Sequence, residues 1–310
     1  MSRRSTHRSE PVDGLLLLNK PAGLTSNQAL QKVKRLLNAK KAGHTGSLDP
    51  AATGMLPLCF GEATKVCAFL LDADKTYRVT AHLGIATDTG DADGSEVATA
   101  DVPQLTADQW NEILQSFVGK SMQVPPMYSA LKKNGMRLYE LARKGQTVVR
   151  DPRPIRIDGI ELLEIAGRRL VFSVHCSKGT YVRVLVEDIA AKAGTVAHTA
   201  KLHRETVAGF DATEMMDLSR LEEAARTDLA GLRERLLPPD SALQSLPAVN
   251  LSADAARRFN AGQVVSVDSE ADCGLVRVYA GAGVFAGIGE LSGDGRLAPK
   301  RVFRAGEKNP

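Results

Sequence analysis

The 310-residue chain lacks most of the features that assign a protein quickly. Its four cysteines (Cys59, Cys67, Cys176, Cys273) are widely spaced and form no CxxC pair. That argues against a metal site or a disulfide framework and for reduced thiols in a cytoplasmic protein. No apolar run approaches the roughly 20 residues that span a bilayer; the run at 15–18 is four residues long. No membrane association is therefore expected. The basic start, MSRRSTHRSEP, has no apolar segment of the signal-peptide kind and reads as a disordered tail over 1–11. Internal repeats and long low-complexity tracts are missing too, which excludes a repeat architecture. Charge of one sign is weak: a net +4 and a pI near 8.8 permit a nucleic-acid partner without requiring one. What remains is ordinary for a globular chain, with 43% hydrophobic and 25% charged residues and a length that suits about two domains.

The stretch that stands out is 42–54, AGHTGSLDPAATG, with three glycines, one proline, His44 and Asp49. Gly43, Gly46 and Gly54 suit tight or positive-φ backbone, and Pro50 stops a helix from running through. Apolar runs flank it at 15–18, 30–37 and 55–60. A polar loop pinned between core elements is where a scaffold presents chemistry, and Asp49 is its candidate group.

Periodicity supplies the surroundings. Residues 15–19 read as a strand, and Thr25 with Gln28 forms a capping box that opens a helix with an apolar face and a basic face. Residues 76–83 alternate as a half-buried strand carrying Tyr77. The acidic loop 88–95 lacks the spaced ligands of a calcium loop and reads as a surface connection. Thr106 and Gln109 cap a packing helix over 105–119. Strands are predicted at 155–163 and 170–176, and a helix from about 184 to 193. Extended backbone just before that helix turns Tyr181 and Arg183 to one side. A second capped helix is predicted over 219–236. From about 246, short strands between Gly-rich turns predict a small β-barrel-like domain.

Residues 120–153 hold eight basic residues against two acidic ones, with Tyr128 and Tyr139 interleaved. Cations neutralise phosphates and rings stack on bases, so Lys132, Lys133, Arg137 and Arg143 are candidates for an RNA-binding arm. A solvated hairpin is the plainer account.

The motif GHTGSLDPAATGMLPLCFGEATK (43–65) resembles the catalytic motif of the TruB family of tRNA pseudouridine synthases. NKPAGLTS (19–26), KTYRV (75–79), QVPPMYSALKKNGMRLYELARKG (123–145), SKGTYVRVLVEDI (177–189) and LHR (202–204) follow in the same order. The resemblance covers most of 12–215. It implies an α+β pseudouridine synthase fold with a mixed, largely antiparallel sheet over 12–240, the arm at 120–153, and a PUA-like RNA-binding domain over 246–310. It implies isomerisation of uridine to pseudouridine at position 55 in the T loop of tRNA, with base flipping and no cofactor or metal. By the same resemblance Asp49 is the catalytic aspartate, attacking C1′ or C6 or promoting a glycal route. Arg183 pairs with it, Tyr77 stacks on the flipped base, Tyr181 packs by the uracil, Leu202 walls the pocket and His44 contacts the RNA. Lys20 supports the site or a phosphate. Two positions depart from the family pattern, Ser47 for alanine and His203 for arginine, with Arg204 left available for a phosphate. The partner is the tRNA T stem-loop, the enzyme a monomer working without guide RNA. Its rivals are a tRNA folding chaperone and the catalytic subunit of a guide-RNA complex.

Overall fold

The computed structural model describes residues 9–304 apart from 134, 270 and 282. The expected tail lies outside them for residues 1–8, and Glu10 is already held by a bridge to Ala39 and an ion pair with Arg233.

Nine strands form the main sheet. They are β1 (Gly14–Lys20), β2 (Ala42–His44), β3 (Thr53–Phe60), β4 (Lys75–Leu83), β5 (Gly119–Gln123), β6 (Arg153–Ala166), β7 (Arg169–Cys176), β8 (Ala197–Val207) and β9 (Met216–Asp217). Their order is β9-β1-β3-β8-β4-β7-β6-β5, with β2 paired to β3. Only β1/β9 and β3/β8 run parallel, so the sheet is mixed and largely antiparallel, as the sequence predicts. In β4 the alternation is clean: Lys75, Tyr77, Val79, Ala81 and Leu83 are buried, and the residues between them are not. Tyr77 is flanked across the sheet by Val174 of β7 and Arg204 of β8.

Helix α1 (Ser26–Leu36) carries the predicted Thr25/Gln28 capping box and buries Ala29, Leu30 and Val33. Helix α2 (Ala107–Gln115) has the Thr106/Gln109 box and buries Trp110 and Leu114. It stops short of 119 because Gly119, at φ +115°, starts β5 instead. Helix α3 (Val182–Lys192) begins earlier than predicted, so Arg183 stands in its first turn and not in extended chain. The predicted helix 219–236 is two helices, Leu218–Thr227 and Leu229–Glu234. Asp228 breaks it by leaving helical backbone and accepting the Gly231 N–H at 2.8 Å, while Ser219 lies inside the first helix and caps nothing.

The C-terminal strands Ala248–Leu251, Val265–Ser266, Gly274–Ala280, Val284–Leu291 and Arg296–Val302 form a second sheet. Its path is open, a curled half-barrel and not a closed barrel, with helix Ala253–Asn260 packed on it. Ile288 of this sheet and Phe303 just beyond its last strand are buried among Leu15, Met55 and Cys59 of the larger sheet and Val66 beside it.

Parallel packing of β3 on β8 depends on Gly54. Its φ is +99°, and a Cβ there would lie 2.2 Å from the Arg204 carbonyl oxygen. Gly54→Ala is expected to destabilise the fold by about 3 kcal/mol, read as a lowered urea midpoint. Gly43 has no such need, since it lies in β2 without a positive φ.

Candidate active site

The Asp49 loop is anchored on both sides of the aspartate. Ser26 in the first turn of α1 accepts the Leu48 N–H at 2.8 Å and donates to the Leu48 carbonyl at 3.1 Å. Gly23 N–H reaches the Pro50 carbonyl at 2.9 Å. Lys20, at the end of β1 and fully buried, donates to the carbonyls of Pro21 (2.8 Å), Leu24 (2.7 Å) and Pro50 (3.2 Å). Its three protons are thus all engaged, so Lys20 is a strut beneath the loop and not a substrate or phosphate ligand. Burial holds its pKa down at about 8, against the pull of Asp49 and with the push of Arg204.

Asp49 presents its carboxylate with 48% of the side chain exposed, whereas Arg183 is only 7% exposed. Arg183 Nε lies 3.2 Å from Asp49 Oδ2, and Nη1 lies 3.5 Å from Asp91 Oδ2. The same guanidinium donates to the carbonyls of Thr89 (2.7 Å) and Tyr128 (2.6 Å). One side chain therefore joins the aspartate loop, the 88–95 loop and the arm. The acidic loop is no mere surface connection: Asp91 is a site residue. The acidic, turn-rich composition that hides it is shared with any solvated connection.

Desolvation by the surrounding protein pushes the Asp49 pKa above the ordinary carboxylate value; Arg183 pulls it down and Asp91 pushes it up again. Asp91→Asn removes a like charge, so the Asp49 titration midpoint is expected to move to lower pH. A carboxyl-carbon NMR titration of the two proteins reads this directly.

Tyr77 is 9% exposed and packs with Leu48 and Ala52, the residues flanking the Asp49–Pro50–Ala51 tip. Burial raises its phenol pKa. Tyr181 caps α3, and its backbone is clasped by Gln123, whose Oε1 accepts its N–H (2.8 Å) and whose Nε2 donates to its carbonyl (3.1 Å). Gln123 is a site residue not among those expected, although it opens the motif at 123–145. Leu202 lines a crevice of about 30 Å³ with Asp49, Ala52, Asp91, Arg183 and Thr199; Tyr77 and Tyr181 stand outside that lining. His44, half-buried in β2, has an Nδ1 with no hydrogen-bond partner among the described residues, and burial lowers its pKa.

A larger hollow of about 840 Å³ is lined by Phe69, Thr76, His175, Thr206 and Gln244 and shares no residue with the crevice. Two of its lining residues, Asp74 and His175, join Asp158 in a group whose ligand atoms lie within 4.8 Å of one another, the one metal-like cluster among the described residues. Arg156 already pairs with both carboxylates, at 2.7 and 2.6 Å, so the group is built as an ion-pair network.

Residues 34–182 match the family described as TruB family pseudouridylate synthase (N terminal domain). Residues 183–244 match the tRNA pseudouridylate synthase B C-terminal domain, and 247–303 match Pseudouridine synthase II TruB, C-terminal. The tRNA pseudouridine synthase B of Tolumonas auensis is 48% identical over 318 residues, covering 100% of this chain and 98% of its own. The chain belongs to the TruB family. A second relative named tRNA pseudouridine synthase B, from Dechloromonas aromatica, is 51% identical over 293 residues, 94% of this chain and 96% of its own. Among solved structures, this TruB-family chain is similar to one in a Cbf5-Nop10-Gar1 complex, with a TM-score of 0.74 and 27% identity over 94% of this chain and 85% of that one. It is also similar to one in an H/ACA RNP bound to a substrate RNA containing 2'-deoxyuridine, with a TM-score of 0.74 and 25% identity over 96% of this chain and 87% of that one.

The arm of this TruB-family chain is a two-stranded turn, Lys132–Lys133 against Met136–Arg137, followed by helix Leu138–Ala142. Lys132, Lys133 and Arg137 are exposed, and Lys133 also donates to the Val149 carbonyl. The Tyr139 ring is taken up by Arg137 and Arg143, whose guanidinium carbons lie 5.9 and 5.4 Å from its centroid, so it is not a free stacking surface. Arg204 is 1% exposed and donates to backbone carbonyls, which removes it as a phosphate ligand. His203 shares a 2.8 Å hydrogen bond with the Thr53 hydroxyl.

Proposed function

We propose that this chain isomerises uridine to pseudouridine in tRNA, with Asp49 as the catalytic group. The observation that carries the reading is the Asp49 carboxylate, half-exposed beside a crevice and gripped by the buried Arg183, in a chain 48% identical along its length to a tRNA pseudouridine synthase B. The reaction breaks N1–C1′, forms C5–C1′, releases the C5 proton and returns one to N1. It involves no net redox change. Asp49 serves it as nucleophile on C1′ or C6, or as the base of a glycal route. Arg183 keeps the carboxylate ionised and aimed.

Tyr77 and Tyr181 bound the uracil, Leu202 walls it, and His44 contacts the RNA near the flipped nucleotide. A crevice of about 30 Å³ suits a water molecule and not a base. The uridine therefore enters by flipping out of its stack while the lining residues yield. The substrate uridine is position 55 of the T loop, recognised in the T stem-loop by a monomer without guide RNA in the cytoplasm. Opening the T loop to reach that base gives the same protein a hand in tRNA folding. The small C-terminal sheet serves as a second RNA-binding domain.

The deciding experiment supplies a T stem-loop labelled with tritium at uridine C5 and no guide RNA. Release of label with pseudouridine in the product supports the reading; bound RNA with no release over many hours would sink it. For the arm, replacing Lys132, Lys133 and Arg137 by glutamine is expected to reduce the salt slope of tRNA binding by about 2–3. An unchanged slope in a filter-binding titration would return the arm to a solvated hairpin.

A further inference from the structure

Arg204 is among the largest fully buried side chains of the protein, and no ion pair joins it to a carboxylate among the described residues. Buried arginine ordinarily has an anionic partner, so its hydrogen bonds must account for its presence. Nε donates to the Met55 carbonyl at 2.7 Å, and Nη2 donates to the Gly46 carbonyl at 3.1 Å. Those two carbonyls bracket the Asp49 loop, one on each side of the aspartate. Two glycines lie against Arg204. Gly46, at φ +84°, would place a Cβ 3.6 Å from Arg204 Nη1, and Gly54, at φ +99°, packs directly on the Arg204 backbone. Tyr77 is the cross-strand partner of Arg204, so the residue also sits beside the side chain packed against the loop tip.

We infer that Arg204 is a positioning residue, a clamp that closes the base of the Asp49 loop and sets where the carboxylate stands. This rests on the proposed activity and adds to it a residue that touches neither substrate nor Asp49. Asp49 is joined to the buried Arg183 by one ion pair, and a single contact does not fix a loop. The orientation of the carboxylate must come from beneath, where Ser26, Lys20 and Arg204 hold the backbone. Arg204 alone among these three grips both flanks, and its guanidinium geometry suits two divergent carbonyls where an ammonium would serve one.

The test compares wild type, Arg204→Met and Arg204→Lys in single-turnover tritium release, with tRNA affinity and thermal unfolding measured on the same samples. The methionine variant is expected to lose about 100-fold in the rate of the bound complex while its tRNA Kd stays within about threefold. The lysine variant, keeping one of two contacts, is expected to recover about tenfold of that loss. A folded Arg204→Met as fast as wild type overturns the clamp, and so does a loss confined to Kd. If Arg204→Met does not fold, the lysine variant decides: full wild-type rate, or failure of that variant to fold as well, leaves Arg204 only a structural role. A wild type that forms no pseudouridine counts against the proposed activity; an active wild type with an equally active Arg204→Met counts against the clamp alone.

Discussion

Asp49→Asn is expected to lower pseudouridine formation by at least about 10³-fold while tRNA affinity changes by less than about threefold. Asparagine matches the shape of aspartate but is neither a nucleophile of useful strength nor a base. The loop survives the change, because Ser26, Lys20, Gly23 and Arg204 bond its backbone and not the carboxylate. Nor does a second carboxylate stand ready to replace it, since Asp91 is only 17% exposed and faces Nη1 of the shared arginine. Single-turnover release of C5 tritium gives the rate, and filter binding gives the affinity. Turnover by the variant at the wild-type rate would remove Asp49 from the chemistry. The same measurement on wild type should show activity lost as pH falls through the Asp49 pKa. That acid limb lies above the ordinary aspartate value, because desolvation and Asp91 together outweigh Arg183.

Arg183→Lys keeps the charge and is expected to lose about 10²- to 10³-fold in rate all the same. The guanidinium serves Asp49, Asp91, Thr89 and Tyr128 at once from fixed directions. An ammonium on a flexible stem reaches some of these and leaves the others bare. The unpaired carbonyls then release the 88–95 loop and the start of the arm, which faster amide exchange at 89–91 and 128–130 would report. Wild-type rate with unchanged exchange would mean that the charge matters and the geometry does not.

Local signals in the sequence were sufficient where the physics is local. The Thr25/Gln28 and Thr106/Gln109 boxes, the alternation of β4 and the breaks around the Asp49 loop all depend on neighbours within a few residues. Extended chain up to a helix start near 184 is the sequence expectation for Arg183, whereas α3 begins at Val182, where Gln123 clasps the Tyr181 backbone from far along the sequence. For Lys20 the sequence leaves open support of the site or a phosphate, and for Arg204 a phosphate contact; both are buried, which lysine and arginine rarely are. Their burial depends on carbonyls turned inward by the loop, which side-chain patterns do not encode. Asp91 escaped notice for the opposite reason: its composition fits a solvent-facing turn, and only Arg183 gives it a partner inside.

Ile288 of the small C-terminal sheet and Phe303, just past its last strand, enter the same apolar cluster as Leu15, Met55 and Cys59. Lys65 reinforces the seam by donating to the Val302 carbonyl at 2.7 Å. Met55 is also the residue whose carbonyl Arg204 holds. Lifting the C-terminal sheet would therefore wet the strand on which the Asp49 loop is mounted. The two large sheets thus share one apolar seam, and an RNA touching both surfaces would meet a gauge of fixed length.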